Sequence, residues 1–319
     1  MSAAGGAAPH NNTDKGMAMA QVAFIGLGNM GAPMAANLAK AGHTVSGFDV
    51  FAAAREAFAA NGGAAAGSLH EAVTGADVVI TMLPSGREVE SVVCGEMGVL
   101  SHAKNGALLI DCSTIDVTTA RAVSGQAVAA GFQMCDAPVS GGVTGAAAGT
   151  LTFMVGGAVA AFEAAKPVLD VMGKTIVHAG DAGAGQAAKI CNNMVLGISM
   201  IAVSEAFNLA DRLGLDRQKL FDISSTASGQ CWSLTTYCPV PGPVPTSPAN
   251  RDYQPGFTAK MMLKDLHLAE GAADSTGAQT PLGKAATRVY ESFCEGGGEA
   301  VDFSGVIKHL RRSADEPPM

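Results

Sequence analysis

The sequence has few aromatic and few charged residues. Of its 319 residues only 5% are aromatic and 15% are charged, with one tryptophan and three tyrosines. The 20 basic residues form no cluster and are outnumbered by 28 acidic ones, which gives a formal charge of -8. Because nucleic acid is bound through grouped positive charge, we expect no nucleic-acid partner.

Long uninterrupted apolar runs are also missing, although the mean hydropathy of +0.25 is high. The richest apolar stretch, residues 194–206, is preceded by Lys189, Asn192 and Asn193 and contains Glu205 near its end. It is therefore shorter than the roughly 20 apolar residues that a bilayer-crossing helix needs. We expect no membrane partner.

Cysteine and histidine occur without the spacings that mark metal sites. The seven cysteines are scattered and never spaced Cys-x-x-Cys, which favours reduced thiols over disulfides or a zinc site. The seven histidines form no paired motif, so we expect no metal. Residues 1–20 contain no arginine and no apolar core segment, which predicts a disordered extension and a cytoplasmic protein, with the mitochondrial matrix as the alternative.

From residue 21 onwards, short β-branched runs alternate with alanine-rich segments, the pattern of parallel βαβ units. The segments between the strands are interpreted as helices, one of them over 116–130 with Asp116 as N-cap and Gly131 as the stop. The predicted strands span 21–25, 44–49, 77–82, 107–112, 133–136, 151–155 and 175–178.

The strand pattern ends near Gly185, and helical patterns follow. A long helix is predicted over 186–213, with Ile190, Met194, Ile198, Ile201 and Ala202 at helical spacing, and further helices over 216–226, 258–275 and 282–295. A proline-rich segment, residues 238–248, can be neither helix nor central strand, and we expect it to cover another part of the protein. The predicted fold is α/β: a Rossmann dinucleotide-binding domain over 21–184, joined by the long helix to an all-helical domain over 185–319.

A glycine-rich turn follows the first predicted strand. The motif Gly26-Leu-Gly28-Asn29-Met30-Gly31 stands between a strand and a helix, where its glycines permit a tight turn, close approach of a pyrophosphate and close packing. Asp49 ends the next strand and suits a ribose 2′-hydroxyl but repels a 2′-phosphate. Because residues 50–52 supply no arginine, the sequence favours NAD over NADP.

The sequence gives less direct evidence for the catalytic residue than for the cofactor site. Strand ends of such a sheet line the ligand crevice, so Leu83-Pro84 and Ser113-Thr114 are interpreted either as cofactor contacts or as ordinary loops. The histidines share no motif, so a lysine is the better candidate for the base that an alcohol dehydrogenation requires. Lys189 and Asn193 lie four residues apart at the start of the long helix, where the crevice between the domains is expected. Burial and a second nearby cation would lower the pKa of Lys189.

Four blocks, residues 24–38, 136–157, 183–193 and 257–269, resemble the β-hydroxyacid dehydrogenase family, and the resemblance extends over residues 22–310. It implies that Lys189 is catalytic, that Asn193 orients the substrate, and that Lys264 lies near nicotinamide and substrate. It also implies that the substrate carboxylate binds the Ser140-Gly141-Gly142 turn, a backbone anion site, and that Leu83, Pro84 and Thr114 contact the cofactor.

Within this family the sequence is most similar to the branch that oxidises 3-hydroxyisobutyrate to methylmalonate semialdehyde in valine breakdown. Trp232 is interpreted either as an apolar wall for the substrate methyl group or as a core aromatic, and Asp265 as a structural partner or helix charge. Alternatives are a reductase of tartronate or succinic semialdehyde, a serine dehydrogenase, or a non-catalytic dinucleotide-binding protein. The resemblance also implies a homodimer or homotetramer.

Overall fold

A computed structural model describes residues 19–311 of the chain. Of the predicted disordered extension, residues 1–18 lie outside the described residues. Nine strands form one sheet: β1 Gln21–Ile25, β2 Thr44–Phe48, β3 Ala64–Ala65, β4 Val78–Thr81, β5 Leu108–Asp111, β6 Gln133–Asp136, β7 Val139–Ser140, β8 Leu151–Gly156 and β9 Gly173–Gly180.

The strand order is β3-β2-β1-β4-β5-β6-β8-β7, and β9 pairs with β8. Strands β1 to β6 are all parallel, so the predicted Rossmann-type α/β fold is confirmed. All seven predicted strands are present, with ends that differ by a few residues. The two-residue strands β3 and β7 were not predicted, because they are too short to produce an alternating pattern.

One prediction about this sheet was wrong. The strand at Leu151–Gly156 was expected to be parallel like the others, but β8 runs antiparallel to both β6 and β7. Only the short helix over Gly142–Ala148 separates β7 from β8, and a parallel return needs a longer crossover of a dozen residues or more. Parallel pairing resumes between β8 and β9, where a 14-residue helix makes the crossover.

The helices in chain order are α1 Gly31–Lys40, α2 Ala52–Ala60, α3 Leu69–Val73, α4 Gly86–Cys94, α5 Val99–His102, α6 Val117–Ala129, α7 Gly142–Ala148, α8 Val159–Met172, α9 Ala184–Leu213, α10 Arg217–Ser224, α11 Trp232–Thr235, α12 Ala259–Thr276, α13 Pro281–Phe293 and α14 Val306–Arg311. Short 3-10 turns span Pro248–Arg251 and Phe303–Gly305, and a π-helical turn spans Cys294–Gly298. The predicted cap of α6 is confirmed, since Asp116 Oδ1 accepts a hydrogen bond from Thr119 N at 2.7 Å.

Two apolar clusters, one built around Phe24 and Phe153 and the other around Ile25 and Leu109, form the core of the sheet-containing part. Successive residues of β1, Phe24 and Ile25, enter different clusters, as expected when side chains alternate across a sheet that is covered on both faces. Among the described residues all seven cysteines are free thiols.

The 30-residue helix α9 is the central element of the C-terminal part. By length and composition it could cross a membrane. In the structure it packs against β8, α12, α13 and α14. Its buried face includes Lys189, Asn193 and Gly197 together with Met200 and Phe207, so polar groups are buried near its N-terminal end.

The proline-rich segment covers the C-terminal half of α9. Val240 and Val244 are buried in a cluster with Phe207 of α9 and Ile307 of α14. Residues 238–247 contain no helix or strand, as predicted, and the 3-10 turn begins at Pro248. The segment therefore seals the apolar core of the helical part.

Candidate active site

The glycine-rich turn between β1 and α1 is shaped by close contacts. Gly26 has φ +97°, and a Cβ there would lie 2.2 Å from Met82 O; a Cβ on Gly31 would lie 1.8 Å from Gly26 O. A Cβ on Gly28 would meet no atom within 4 Å, so this position faces open space. Asn29 is exposed beside it, and Met30 is the N-cap residue of α1. The turn thus leaves backbone and a helix N-terminus exposed, an arrangement that suits a phosphate group.

Asp49 lies beside this turn. Its Oδ2 accepts a hydrogen bond from Leu27 N at 2.8 Å, and its Oδ1 accepts one from Phe51 N at 2.9 Å. Arg55 lies three residues beyond the arginine-free segment 50–52 and was not predicted to be near Asp49. The first turn of α2 brings Arg55 back, so that its Nη1 donates to Asp49 O at 2.6 Å and to Val50 O at 3.3 Å.

The loops after β4 and β5 are tied together. Leu83 N donates to Ser113 Oγ at 2.8 Å, and Thr81 Oγ1 donates to Asp111 Oδ1 at 2.8 Å. Asp111 is fully buried, and burial raises the pKa of its carboxyl group. The predicted cofactor contacts Leu83, Pro84 and Thr114 therefore lie side by side at the carboxyl ends of neighbouring parallel strands.

Lys264 reaches these loops from α12. Its Nζ donates to Thr114 O at 2.8 Å and to Pro84 O at 3.3 Å. An ammonium group has three donor hydrogens, so one remains for a further acceptor. Lys264 therefore joins the helical part to the loops of the sheet.

Lys189 lies in the second turn of α9 and is only 7% exposed. Burial lowers the pKa of its ammonium group, and the like charge of Lys264 lowers it further, while the carboxylate of Asp265 opposes both effects. Lys264 Nζ and Asp265 Oδ1 are 3.8 Å apart. The structure thus brings two lysines and one carboxylate together in a largely dry environment.

Asn193 lies one turn beyond Lys189 and is buried. Its Nδ2 donates to Asp265 Oδ2 at 2.5 Å, and its Oδ1 accepts from Asn192 Nδ2 at 3.0 Å. Burial raises the pKa of Asp265, which is opposed by Lys189, Lys264 and the hydrogen bond from Asn193. Asp265 is therefore both a structural partner of Asn193 and a charge beside Lys189.

The Ser140-Gly141-Gly142 turn joins β7 to α7. Gly141 has φ +131° and Gly142 has φ +62°, conformations that side chains strongly disfavour. A Cβ on Gly142 would lie 3.5 Å from Gly256 O, which places the turn opposite the segment before α12. The two glycines thus leave the turn's backbone groups accessible between the two halves of the chain.

Trp232 begins α11 and is 48% exposed, so it is not a core aromatic. Its ring stacks on that of Tyr237 at 4.9 Å, and Tyr237 donates its hydroxyl proton to Asp302 Oδ2 at 3.0 Å. The same Asp302 oxygen accepts from Gly256 N at 2.9 Å. Trp232 is therefore connected, through one side chain and one carboxylate, to the segment that faces Gly142.

Two buried polar side chains where the end of β6 meets the start of α9 were not predicted from the sequence. Asp136 accepts from Gly183 N at 2.7 Å, and Gln186 is fully buried. Both stand inside the blocks that carry the family resemblance, but their partners are distant in sequence.

Within residues 19–311 no three His, Cys, Asp or Glu side chains cluster as a metal site would require. An open groove at the opposite end of α9, lined by Asp211, Arg217 and Pro241, contains none of the predicted site residues.

Comparison with known proteins identifies the family. Residues 21–180 match the NAD binding domain of 6-phosphogluconate dehydrogenase, and residues 183–310 match the model described as NAD-binding of NADP-dependent 3-hydroxyisobutyrate dehydrogenase. The chain is 54% identical over 297 residues to the probable 3-hydroxyisobutyrate dehydrogenase of Mycobacterium tuberculosis, covering 93% of this chain and 100% of that one. The chain belongs to the β-hydroxyacid dehydrogenase family. It is an NAD-dependent dehydrogenase, as predicted.

Other similar members of the β-hydroxyacid dehydrogenase family carry different substrate names. The NAD-dependent L-serine dehydrogenase of Pseudomonas aeruginosa is 48% identical, over 91% of this chain and 97% of its own length. The solved structure of the Mycobacterium tuberculosis 3-hydroxyisobutyrate dehydrogenase with L-serine has a TM-score of 0.88 and 54% identity, covering 92% of this chain and all of that one. Several eukaryotic relatives carry the word mitochondrial in their names.

The described residues fit an NAD molecule. Open space at Gly28 adjoins a helix N-terminus for the pyrophosphate, and the Asp49 carboxylate lies beside the same turn for the ribose. The loops after β4 and β5 lie on the same carboxyl edge of the sheet. The cofactor is NAD, as the sequence predicted.

Proposed function

We propose that this dehydrogenase catalyses the reversible oxidation of 3-hydroxyisobutyrate to methylmalonate semialdehyde, a step of valine breakdown. The observation that carries the proposal is Lys189, which is buried beside Asp265 and Lys264 next to the cofactor loops. A similar protein named probable 3-hydroxyisobutyrate dehydrogenase, matched over its whole length, supports the substrate.

In the proposed mechanism Lys189 removes the proton of the substrate hydroxyl group. The reaction requires its neutral amine, and both burial and the charge of Lys264 favour that form by lowering the pKa. Asn193, held by Asp265, orients the hydroxyl group. When bound, NAD accepts the hydride from the substrate carbon.

The substrate carboxylate is assigned to the turn of Ser140, Gly141 and Gly142. A hydroxyl group and unhindered backbone N–H groups can bind an anion there without a full positive charge. Trp232 is assigned as an apolar wall for the methyl group, since its ring is half exposed and fixed by stacking on Tyr237. These contacts would hold the hydroxy acid while Lys189 acts.

The cofactor contacts are assigned along the carboxyl edge of the sheet. The turn that contains Gly26, Gly28 and Gly31, with Asn29 and Met30 between them, would hold the pyrophosphate. Asp49 would accept hydrogen bonds from the adenosine ribose, and Leu83, Pro84 and Thr114 would flank the nicotinamide half. Lys264 would keep the last two loops in place and offer its remaining N–H to the cofactor or substrate.

L-Serine is a second candidate substrate. It carries the same hydroxymethyl and carboxylate groups as 3-hydroxyisobutyrate, with an ammonium group in place of the methyl group. A similar Pseudomonas aeruginosa protein is named an L-serine dehydrogenase, and a solved relative is described with L-serine. Reduction of tartronate or succinic semialdehyde remains the third possibility, and the presence of both Lys189 and Asn193 argues against a non-catalytic protein.

The test is a comparison of kcat/KM on the purified protein for 3-hydroxyisobutyrate, L-serine and D-glycerate, each with NAD⁺ and NADP⁺. We expect 3-hydroxyisobutyrate with NAD⁺ to give the highest value. A higher value for L-serine or D-glycerate would overturn the substrate, while leaving the assignment of Lys189 intact. No turnover of any of them would favour the non-catalytic alternative.

We also propose that the protein is a homodimer or homotetramer. The copies would associate through the predicted helical domain, residues 185–319. Along α9, Val195, Ala202, Ala206, Leu209 and Leu213 are all exposed. Their spacings of seven, four, three and four residues place them on one face of the helix, as in the seam of paired helices. A second copy of the same helix fits this apolar stripe.

A cytoplasmic location stays a prediction that imaging of a tagged chain would check.

A further inference from the structure

The amide of Gln186 is paired at both ends with the loop that follows β5. Gln186 lies three residues before Lys189 on α9 and is fully buried. Its Nε2 donates to Ser113 O at 2.8 Å, and its Oε1 accepts from Ile115 N at 3.1 Å. These two backbone groups flank Thr114, so a single side chain fixes both sides of a proposed cofactor contact.

The backbone of the same residue is fixed by a different strand. Asp136 ends β6, and its Oδ2 accepts from Gln186 N at 2.9 Å while its Oδ1 accepts from Gly183 N at 2.7 Å. Free N–H groups at a helix start are thereby satisfied by a buried carboxylate. The first turn of α9 is thus anchored to β6 through the Gln186 backbone and to the β5 loop through its side chain.

The same loop is held from a second helix. Lys264 of α12 donates to Thr114 O at 2.8 Å, and α12 also carries Asp265, which holds Asn193. The backbone groups of Ser113, Thr114 and Ile115 are therefore hydrogen-bonded to α9 and α12, the two helices that carry the proposed proton-transfer groups. A shift of this loop relative to α9 would change the spacing between Lys189 and the cofactor.

We propose that Gln186 is a positioning residue that sets the spacing between Lys189 and the cofactor loop around Thr114. Glutamine suits this role because one amide donates and accepts at the same time, as the Ser113 carbonyl and the Ile115 N–H require. An apolar side chain of similar size would leave both backbone groups without their partner in a buried region. The inference rests on the proposed hydroxy-acid oxidation, in which a displacement of about 1 Å can cost about 100-fold in rate.

The test variant is Gln186→Met, which keeps the length of the side chain but removes both hydrogen bonds. Thr287→Val is the matched control: it removes one buried hydrogen bond, from Thr287 Oγ1 to Gly283 O at 3.1 Å in α13, and neither of these two residues is a proposed site residue. Both variants are compared with the wild-type protein per folded molecule, as measured by thermal unfolding and circular dichroism.

Two readouts need no turnover. Amide hydrogen exchange of the peptide spanning residues 113–116 should be at least about tenfold faster in Gln186→Met, because Ile115 N loses its acceptor. Calorimetric titration should show weaker NADH binding by about tenfold, the effect of losing a well-placed hydrogen bond to a buried loop. Thr287→Val should match the wild type in both, and unchanged values for Gln186→Met would overturn the proposal.

Two further readouts use the reaction. In Gln186→Met, kcat should fall by about 10- to 100-fold while the KM for the hydroxy acid changes by less than about threefold. The kinetic isotope effect for substrate deuterated at the reacting carbon should rise, because hydride transfer becomes rate-limiting. If Gln186 only contributed stability, its replacement would lower the unfolding temperature but would leave kcat per folded molecule and the isotope effect unchanged.

The outcomes separate this inference from the proposed function. If the wild-type protein turns over no hydroxy acid, the proposed function fails, and the exchange and NADH-binding results still decide the role of Gln186. If the wild-type protein is active and the variant matches it, the inference fails alone. Should Gln186→Met not fold, Gln186→Glu is measured instead, which keeps the acceptor for Ile115 N and loses the donor to Ser113 O. NADH binding, kcat and the isotope effect should then change in the same directions as for Gln186→Met, while exchange at Ile115 N should stay close to the wild type. NADH binding and kcat equal to those of the wild type would overturn the proposal.

Discussion

Lys189 depends on burial for its proposed chemistry. An exposed lysine is almost entirely protonated near neutral pH and cannot accept a proton. In this structure Lys189 is almost fully buried next to Lys264, and both features lower its pKa. The nearby Asp265 keeps the protonated form accessible for the reverse reaction, in which Lys189 would return the proton.

Replacing Lys189 by alanine should lower kcat by about 10²- to 10⁴-fold, the usual contribution of a general base. NADH affinity, measured by titration, should stay within about twofold of the wild type because Lys189 is not among the proposed cofactor contacts. Lys219→Ala, on the exposed face of α10, is the matched control and should behave as the wild type. Near-normal turnover of Lys189→Ala would remove its assignment as the base.

Asp49 and Arg55 together set the expected cofactor preference. Asp49→Ala removes the acceptor for the ribose hydroxyl groups, so kcat/KM with NAD⁺ should fall by about 10- to 100-fold. With the carboxylate gone, the guanidinium of Arg55 stays bound to the backbone carbonyls of residues 49 and 50, and its charge no longer has a neighbouring negative charge beside it. It should therefore attract a 2′-phosphate, and kcat/KM with NADP⁺ should rise. In the double variant Asp49→Ala/Arg55→Ala the gain in kcat/KM with NADP⁺ should disappear. If Asp49→Ala alone had the same ratio of kcat/KM with NADP⁺ to kcat/KM with NAD⁺ as the wild type, the proposed role of Asp49 would be wrong.

At the scale of elements, two helices create the site where they meet the sheet. Helix α9 carries Lys189 and Asn193, and α12 carries Lys264 and Asp265. The two helices pack along each other, and Gly197 permits close contact, since a Cβ there would lie 3.1 Å from the Leu266 side chain. The packing of α9 on α12 therefore determines the charge environment of Lys189.

The charges on α12 should shift the pH dependence of oxidation in opposite directions. The rate should rise with pH until Lys189 is neutral. Lys264 lowers the pKa of Lys189, so Lys264→Met should move this rise to higher pH; Asp265 raises that pKa, so Asp265→Asn should move it to lower pH. Each shift should be about one pH unit, as expected for a single neighbouring charge.

The measurement is kcat for the hydroxy acid as a function of pH, with saturating NAD⁺. The maximal rate should fall in both variants, because Lys264 also holds the cofactor loops and Asp265 also holds Asn193. The position of the rise on the pH axis is therefore the informative quantity. Profiles that coincide with that of the wild type would show that Lys189 does not control the rate.

At the same scale, the sequence predicted the alternation of strands and helices, because hydrophobic period and capping are properties of neighbouring residues. It predicted α9 from residue 186 to 213, and the helix begins two residues earlier. It failed at β8, whose direction depends on how the chain returns to the sheet. The apolar stripe of α9 was placed at Ile190, Met194, Ile198, Ile201 and Ala202, but Ala202 is exposed. The burial of Lys189 was predicted, whereas that of Gln186 was not.

In the proposed assembly, a second copy of the chain covers the exposed apolar stripe on α9. Leu209 is 59% exposed and Leu213 is 74% exposed. Glutamate at both positions would place charges in the proposed seam, and sedimentation should then show a smaller species than for the wild-type chain. Leu282→Glu, at a 66% exposed position on α13, is the control and should leave the assembly unchanged. A wild-type chain that sediments as a monomer would contradict the proposed assembly.

The elements and most candidate groups could be predicted from neighbouring residues: the glycine-rich turn, Asp49, Lys189 and Asn193 were found in short motifs, and the resemblance to the family added the Ser140 turn. The surroundings of these groups could not be predicted, because they are formed by residues far apart in the chain. Asn193 meets Asp265 across 72 residues of sequence, and Gln186 meets Ser113 across 73. Turn and helix signals are written in adjacent residues, whereas the dry, charged surroundings that set the pKa of Lys189 arise only when distant segments pack together.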